Sequence, residues 1–408
     1  MNTATPAPGP LAGLRVIEMG SLLAGPFAGQ LLGDFGAEVI KVEPPGQGDP
    51  MRVWGQHRPQ GHSLWFPIIA RNKKSVTLNL RLPEGQQLAR ELLSTADVLV
   101  ENFRPGTLEG WGLGPDTLQQ LNPGLVMLRV SGYGQTGPYR DRAGFGSIGE
   151  AVGGLRALTG EPGRPPVRVG VTIGDMLAGT LGALGTMMAL YSRTTSGRGQ
   201  VVDVALYEAV LTYMESLIPE FALAGQIRER SGSTLPGIAP SNIYPALGPD
   251  GQPGEWVVIG ANADTVFRRL CAEMGRPELS DHPDYRGHEA RGLHMNELDE
   301  LIAAWTATLP ADELVTRLGQ AGVPASRVYS AREMLQDPHF AARGNIVRLH
   351  HEQLGSFPMQ GVVPRLSETP GAVRSLGPQL GQHNQDVYGG LLGHTAGQLA
   401  AFQEQGVI

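Results

Sequence analysis

Short apolar runs alternate with amphipathic stretches through the first third of the chain. Arg15 to Met19 (RVIEM), Glu38 to Val42 (EVIKV), Ser75 to Leu80 (SVTLNL), Asp97 to Asn102 (DVLVEN) and Leu125 to Ser131 (LVMLRVS) read as strands. Between them, residues from about Gly25, from Pro83 to Thr95 and just before Leu125 recur at helical spacing. Strands that are apolar throughout, separated by helices, imply right-handed crossovers and a parallel sheet covered on both faces. The expected fold class is therefore α/β, a Rossmann-like large domain. Ligands on such sheets sit beyond the carboxyl ends of the strands, so the loops after Met19, Asn102 and Ser131 are the places to look.

Past Ser131, a Gly-rich stretch from Gly132 to Gly174 leads into a long apolar helix, Met176 to Tyr191, then the strand QVVDVAL and a helix running to Leu223. Residues 1–224 are read as the first part of the large domain and the polar, Gly/Pro-punctuated stretch 225–253 as a linker. Residues 254–330 are read as a smaller α+β domain, with a strand WVVIGA and helices around Asp264 to Met274, His294 to Thr308 and Ala311 to Gln320. Residues 331–408 are expected to return to the large domain.

Lys and Arg total 32 against 39 Asp and Glu, a net charge of -7 with no block of five like charges. That balance does not suggest a nucleic-acid or anionic-membrane partner. The one cysteine, Cys271, excludes an internal disulfide and a cysteine-based metal cluster, which fits a reducing compartment. Met1 to Pro10 lacks a basic and apolar export pattern and no run of eighteen apolar residues occurs, so a soluble cytoplasmic protein is expected.

Two stretches match GxGxxG, at Gly132, Gly134 and Gly137 and at Gly144, Gly146 and Gly149. Pro138 and Tyr139 stand where the first would need a helix to open, and the second follows loop residues, so neither reads as a dinucleotide site. GxxxxGK[ST], HExxH and GxSxG are absent. Asp175 differs: Gly174 breaks the chain just before the apolar helix, which reads first as a helix N-cap. A carboxylate at that position is held ionised by the helix dipole, near backbone N–H groups that can face an oxyanion. Such a carboxylate can attack a thioester carbonyl and expel a thiolate, which needs neither a metal nor a bound cofactor.

LAGLRVIEMGSLLAGPFAGQLLGDFGAEVIKVEPPGQGDPMR resembles the opening of family III CoA-transferases, the CaiB/BaiF family. ARNKKSVTLNL, DVLVENFRPGTLEGWG, RVSGYGQTGPY, VTIGDMLAGT and SGRGQVVDVALYEAVL continue the likeness in the same order, most densely from Leu11 to Val210. The resemblance implies a catalytic aspartate at Asp175. It implies a CoA loop at Leu23 and Ala24, CoA contacts at Leu78, Asn79, Leu80, Arg81, Asn102, Phe103 and Arg104, and a loop over the thioester at Ala143, Gly144, Phe145 and Gly146. It also implies CoA and acyl-CoA as substrates, no metal, and an interlocked ring-shaped homodimer. Beside that ligand, Arg71, Lys73 and Lys74 form a basic cluster read as a clamp for CoA phosphates.

Departures from the family pattern narrow the expectation. Racemases of the family carry histidine and aspartate where this chain reads Phe145 and Gly146, and two-base racemisation needs both proton carriers. Formyl-CoA transferases carry basic residues where this chain has Pro44 and Gly110. The pattern is nearer to transferases that pair succinyl-CoA with dicarboxylic acceptors, and Arg164 and Arg168 are candidates for a distal substrate carboxylate. The rival readings are an acyl-CoA isomerase and a non-catalytic CoA-binding protein.

Overall fold

The computed structural model describes residues 9–408, which divide into two compact units. The first comprises the described residues through Arg156, Val169–Gln226 and Ala341–Ile408. Its centre is a six-stranded sheet of β1 (Arg15–Glu18), β2 (Glu38–Glu43), β3 (Lys73–Thr77), β4 (Val98–Glu101), β5 (Val126–Ser131) and β6 (Val201–Ala205), in the order β3-β2-β1-β4-β5-β6. Every pairing is parallel. The strand order reverses between β1 and β4, which opens a crevice at their carboxyl ends, as in other doubly wound sheets.

Successive side chains alternate between the sheet's two faces. Ile17, Ile40, Leu99 and Met127 join one core with Leu88, Leu92 and Leu93 of helix Pro83–Ser94. Val16, Val39, Val98, Val100, Val126 and Leu128 join the other, with helices Ala24–Asp34 and Ile173–Ser196. The second helix carries a buried stripe of small residues, including Ala178, Gly179, Gly182, Ala183 and Thr186. A β-carbon on Gly179 would come within 2.7 Å of the Ala24 carbonyl oxygen, and one on Gly182 within 2.9 Å of the Leu128 side chain. Glycine there lets the helix lie against its neighbours at backbone distance. That helix is long and apolar enough to cross a membrane by length and composition alone. Its small-residue stripe is packed as core, while Leu184, Met188 and Tyr191 on the same helix are exposed. Gly197, at φ 67°, ends it in the left-handed conformation.

Residues 383–388 return to cover the outer edge of β3. The Ser75 N–H donates to His383 Nδ1 at 3.1 Å, the Thr77 N–H donates to Asn384 Oδ1 at 2.9 Å, and the Tyr388 hydroxyl donates to the Thr77 carbonyl at 2.9 Å.

The second unit, Ala157–Arg168 and Ile227–Phe340, is built on an antiparallel sheet of β7 (Ser241–Leu247), β8 (Pro253–Gly260) and β9 (Ala325–Arg327). Tyr244, Val257 and Ile259 pack with Phe267, Leu298, Ile302 and Leu314 of the helices Asp264–Glu273, Met295–Thr306 and Ala311–Gln320. The stretch 225–253, expected as a linker, contains β7. The strand's buried positions are Tyr244 and Ala246 while Ile243 is exposed, and Pro245 between the two buried residues breaks the apolar pattern of a strand. Residues 331–340, expected with the large domain, belong to this second unit.

Candidate active site

The crevice at the strand reversal is a cavity of about 740 Å³. Its lining comes from the ends of four strands: Met19 to Ser21 after β1, Lys41 to Glu43 at the end of β2 with Pro44, Pro45 and Gln47 to Pro50 beyond it, Leu78 to Arg81 after β3, and Phe103 after β4. Trp111 completes one wall, its ring edge-on to Phe103 with centroids 5.3 Å apart. Arg81 is exposed at the rim.

The loop after β1 is held from two sides. The Ser21 N–H donates to Asn102 Oδ1 and the Asn102 amide donates back to the Ser21 carbonyl, each at 2.8 Å. The Leu22 N–H donates to Asp49 Oδ1 at 3.2 Å, and Lys41 Nζ donates to the Gly20 carbonyl at 2.9 Å. Leu22 sits at φ 64°, a region costly for a side-chain-bearing residue, so the loop needs such restraints to keep its shape.

Beneath the loop lies a buried charge network. Lys41 pairs with Glu18 at 3.0 Å and Asp49 at 2.7 Å, Lys73 pairs with Glu18 at 2.7 Å, and Arg52 pairs with Glu43 at 2.7 Å. Desolvation opposes charge on Lys41, but Glu18, Asp49 and Glu43 outweigh it and hold the ammonium above its ordinary range. Lys73 is governed by desolvation, and with Glu18 as its main counter-charge and Lys41 opposing, it is pulled down to about 8. The two lysines differ because one faces three carboxylates and the other chiefly one. Desolvation pushes the Glu43 carboxyl up, and Arg52, Lys41 and Ser75 together hold it below the usual carboxylate range.

The basic cluster at Arg71 to Lys74 is used internally. Arg71 is buried against Asp34 and the Gln360 carbonyl, Lys73 against Glu18 and the Pro26 carbonyl, and Lys74 pairs with Glu38. None of the three lines the cavity, which corrects the phosphate-clamp expectation. The charged start of β3 satisfies acids on neighbouring elements.

Asp175 is the third residue of helix Ile173–Ser196, whose N-cap is Thr172. The expected N-cap position is thus corrected by three residues, since Ile173 and Gly174 are already helical. A first-turn carboxylate still lies at the positive end of the dipole. The Gly174 N–H points at Glu150 Oε1 at 3.5 Å, and Glu150 is fully buried and paired with Arg156 at 2.8 Å. That N–H, one of those expected to face an oxyanion, is therefore already engaged.

Of the residues implied by resemblance, Leu78, Asn79, Leu80, Arg81 and Phe103 line the cavity. Leu23 packs with Met51, Phe66 and Ile69, Ala24 lies in the sheet core, and Asn102 braces the loop. Arg104 and Ala143 are exposed, as is Phe145 at 65%. Gly144 lies against Gly132 and Gly146 against Asp175. Arg164 and Arg168 are exposed residues of the second unit. The lining from Pro44 to Asp49, Thr107, Trp111 and Gly406 escapes the sequence pattern. Its one signal is EPPGQGDP, a Gly/Pro loop directly after an apolar strand.

The fold and the crevice are those of a doubly wound ligand-binding α/β protein, and the chain belongs to CoA-transferase family III, whose pattern it matches over residues 11–384. It moves CoA between carboxylic acids. Succinyl-CoA–D-citramalate CoA-transferase of Chloroflexus aurantiacus is 60% identical over 98% of both chains. The beta subunit of succinyl-CoA–L-malate CoA-transferase from that organism is 43% identical over 98% of both. A solved CaiB/BaiF family protein from Brucella suis superposes with a TM-score of 0.82 at 32% identity, over 94% of this chain and 100% of its own.

Proposed function

We propose that this chain transfers CoA from succinyl-CoA to a branched or hydroxylated dicarboxylate such as D-citramalate. The observation carrying this reading is the 60% identity, over nearly the whole of both chains, to a transferase named for that pair. Asp175 is the proposed nucleophile. Its carboxylate adds to the thioester carbonyl and expels CoA thiolate, leaving a mixed succinyl-aspartyl anhydride. The thiolate returns to the aspartyl carbonyl, releasing succinate and forming an aspartyl-CoA thioester. The acceptor carboxylate repeats the first step on that thioester, and thiolate then attacks the acceptor's carbonyl, freeing Asp175. Each step exchanges one acyl bond for another, so no proton carrier, metal or resident cofactor is called for.

An isomerase of the same family needs a second proton carrier near position 146. Gly146 has no side chain and Phe145 is 65% exposed, which favours transfer.

The active form is proposed as a cytoplasmic homodimer. Leu184, Met188 and Tyr191 form an exposed stripe on one helix, at 50%, 62% and 79% exposure, and a second copy of this chain would cover it. The relatives named as subunits make self-association against a pairing of unlike chains a question for light scattering of the purified protein.

The deciding experiment is the intact mass of the protein after incubation with succinyl-CoA, beside Asp175→Ala. An acyl or CoA adduct on the Asp175 peptide of the unaltered chain alone, discharged by D-citramalate faster than by glutarate or oxalate, is expected. Adducts that persist in Asp175→Ala would overturn the assignment.

A further inference from the structure

The Asp175 carboxylate occupies space that position 146 leaves open. A β-carbon on Gly146 would lie 2.2 Å from Asp175 Oδ2, 2.6 Å from Cγ and 2.9 Å from Oδ1, all closer than real β-carbon contacts. Gly146 opens the helix Gly146–Val152 and is not among the residues with positive φ, so its backbone conformation does not demand glycine. Space does.

The backbone on either side has no room to retreat. A β-carbon on Gly144 would come within 2.6 Å of the Gly132 Cα, so the segment leading to Gly146 is wedged against the loop after β5. A β-carbon on Gly174 would meet the Gly146 carbonyl oxygen at 3.0 Å and Glu150 Cγ at 3.1 Å, so the two helix starts are themselves in close contact. Glu150, buried and bonded to Gly174 and Arg156, ties them together from inside.

We propose that Gly146 is a positioning residue: the gap left by its missing side chain is the seat of the Asp175 carboxylate and selects the rotamer from which that carboxylate attacks. A methyl group at 146 turns the Asp175 side chain to another staggered position, away from its line of approach to a thioester carbonyl. The kinetic part of this proposal rests on the nucleophile reading above. The steric part does not.

The test is a double-mutant cycle of Gly146→Ala and Asp175→Ala, read by thermal unfolding, CoA affinity by calorimetry and steady-state kinetics. In the chain that retains Asp175, Gly146→Ala is expected to lower Tm and to cut kcat about 100-fold, with KM for succinyl-CoA changed less than about twofold. In the Asp175→Ala background the clashing atoms are gone. The same substitution is then expected to raise Tm or leave it unchanged, because alanine restricts the unfolded chain more than glycine. If Gly146→Ala alone does not fold but the double variant does, the coupling is shown in its strongest form. Equal loss of Tm in both backgrounds, failure of both to fold, or an unchanged kcat for Gly146→Ala would overturn the proposal. Should Asp175→Ala retain transferase activity, the nucleophile reading falls while the Tm cycle still judges the seat.

Discussion

The crevice after β1 and the surroundings of Asp175 are held by opposite means. Around the crevice after β1, side chains do the holding: three buried carboxylates face three cations, and Asn102 grips Ser21 through both amide atoms. Around Asp175, the absence of side chains does it, since Gly132, Gly144, Gly146 and Gly174 bring backbones to contact distance. A charge network tolerates small shifts but not an unpaired member, because an uncompensated buried charge is costly. A glycine contact tolerates neutral changes elsewhere but no added methyl. Each region therefore fails in its own way.

The largest expected effect lies in the charge network. Glu18→Gln leaves Lys41 and Lys73 without their shared carboxylate and should cost about 3–5 kcal/mol in urea unfolding. A loss below about 1 kcal/mol would mean that water or proton release compensates, and the contrast between the regions would blur. Next, Gly144→Ala should cost about 1–3 kcal/mol, since the atom it meets is backbone and cannot rotate away. A neutral outcome would show that the glycine region is slacker than its distances imply.

A smaller and more local effect is expected from Asn102→Ala. Losing both bonds to Ser21 frees the strained Leu22 loop, and KM for succinyl-CoA should rise about tenfold, roughly 1.4 kcal/mol, with kcat within a few-fold. Asn102→Asp keeps an acceptor for the Ser21 N–H and should fall between. The smallest effect concerns acid. The Glu43 carboxyl binds its proton more weakly in the folded chain than in the unfolded one, so its contribution is present above about pH 4.5 and lost as pH falls through the folded value. A tenfold difference in proton affinity between the two states is worth about 1.4 kcal/mol. Acid titration of Glu43→Gln should therefore show a shallower loss of stability than the unaltered chain, and an identical acid limb would remove Glu43 from the network's account.

The central sheet is legible in the sequence because parallel strands buried on both faces must be apolar along their length, and Val16, Ile17, Val39, Ile40 and Val98 to Val100 announce themselves. The apolar pattern predicts a third strand over Ser75 to Leu80, whereas β3 begins at Lys73 and ends at Thr77. Lys73 looks solvated in sequence because its partner, Glu18, lies on another strand. Leu78 and Leu80 look like strand core, and both are buried in it, but they follow the end of β3 and also line the cavity. Asp175 is visible from its motif. That its carboxylate lies against Gly146 is not, because a contact between the starts of two helices leaves no periodic trace. Trp111 lies within the stretch DVLVENFRPGTLEGWG, but its place in the cavity wall, just past the short helix Thr107–Gly110, leaves no periodic trace.

The cover over β3 has a consequence in time. Ser75 waits for His383, a partner 308 positions further along the chain. At about 5–20 residues per second, synthesis reaches that partner roughly 15–60 s after the strand itself has been made. Throughout that interval a parallel sheet edge stands open to pairing with any other extended chain. The nascent protein thus passes through a sticky adolescence that its finished form conceals, and its yield in a cell will depend on how well that edge is chaperoned.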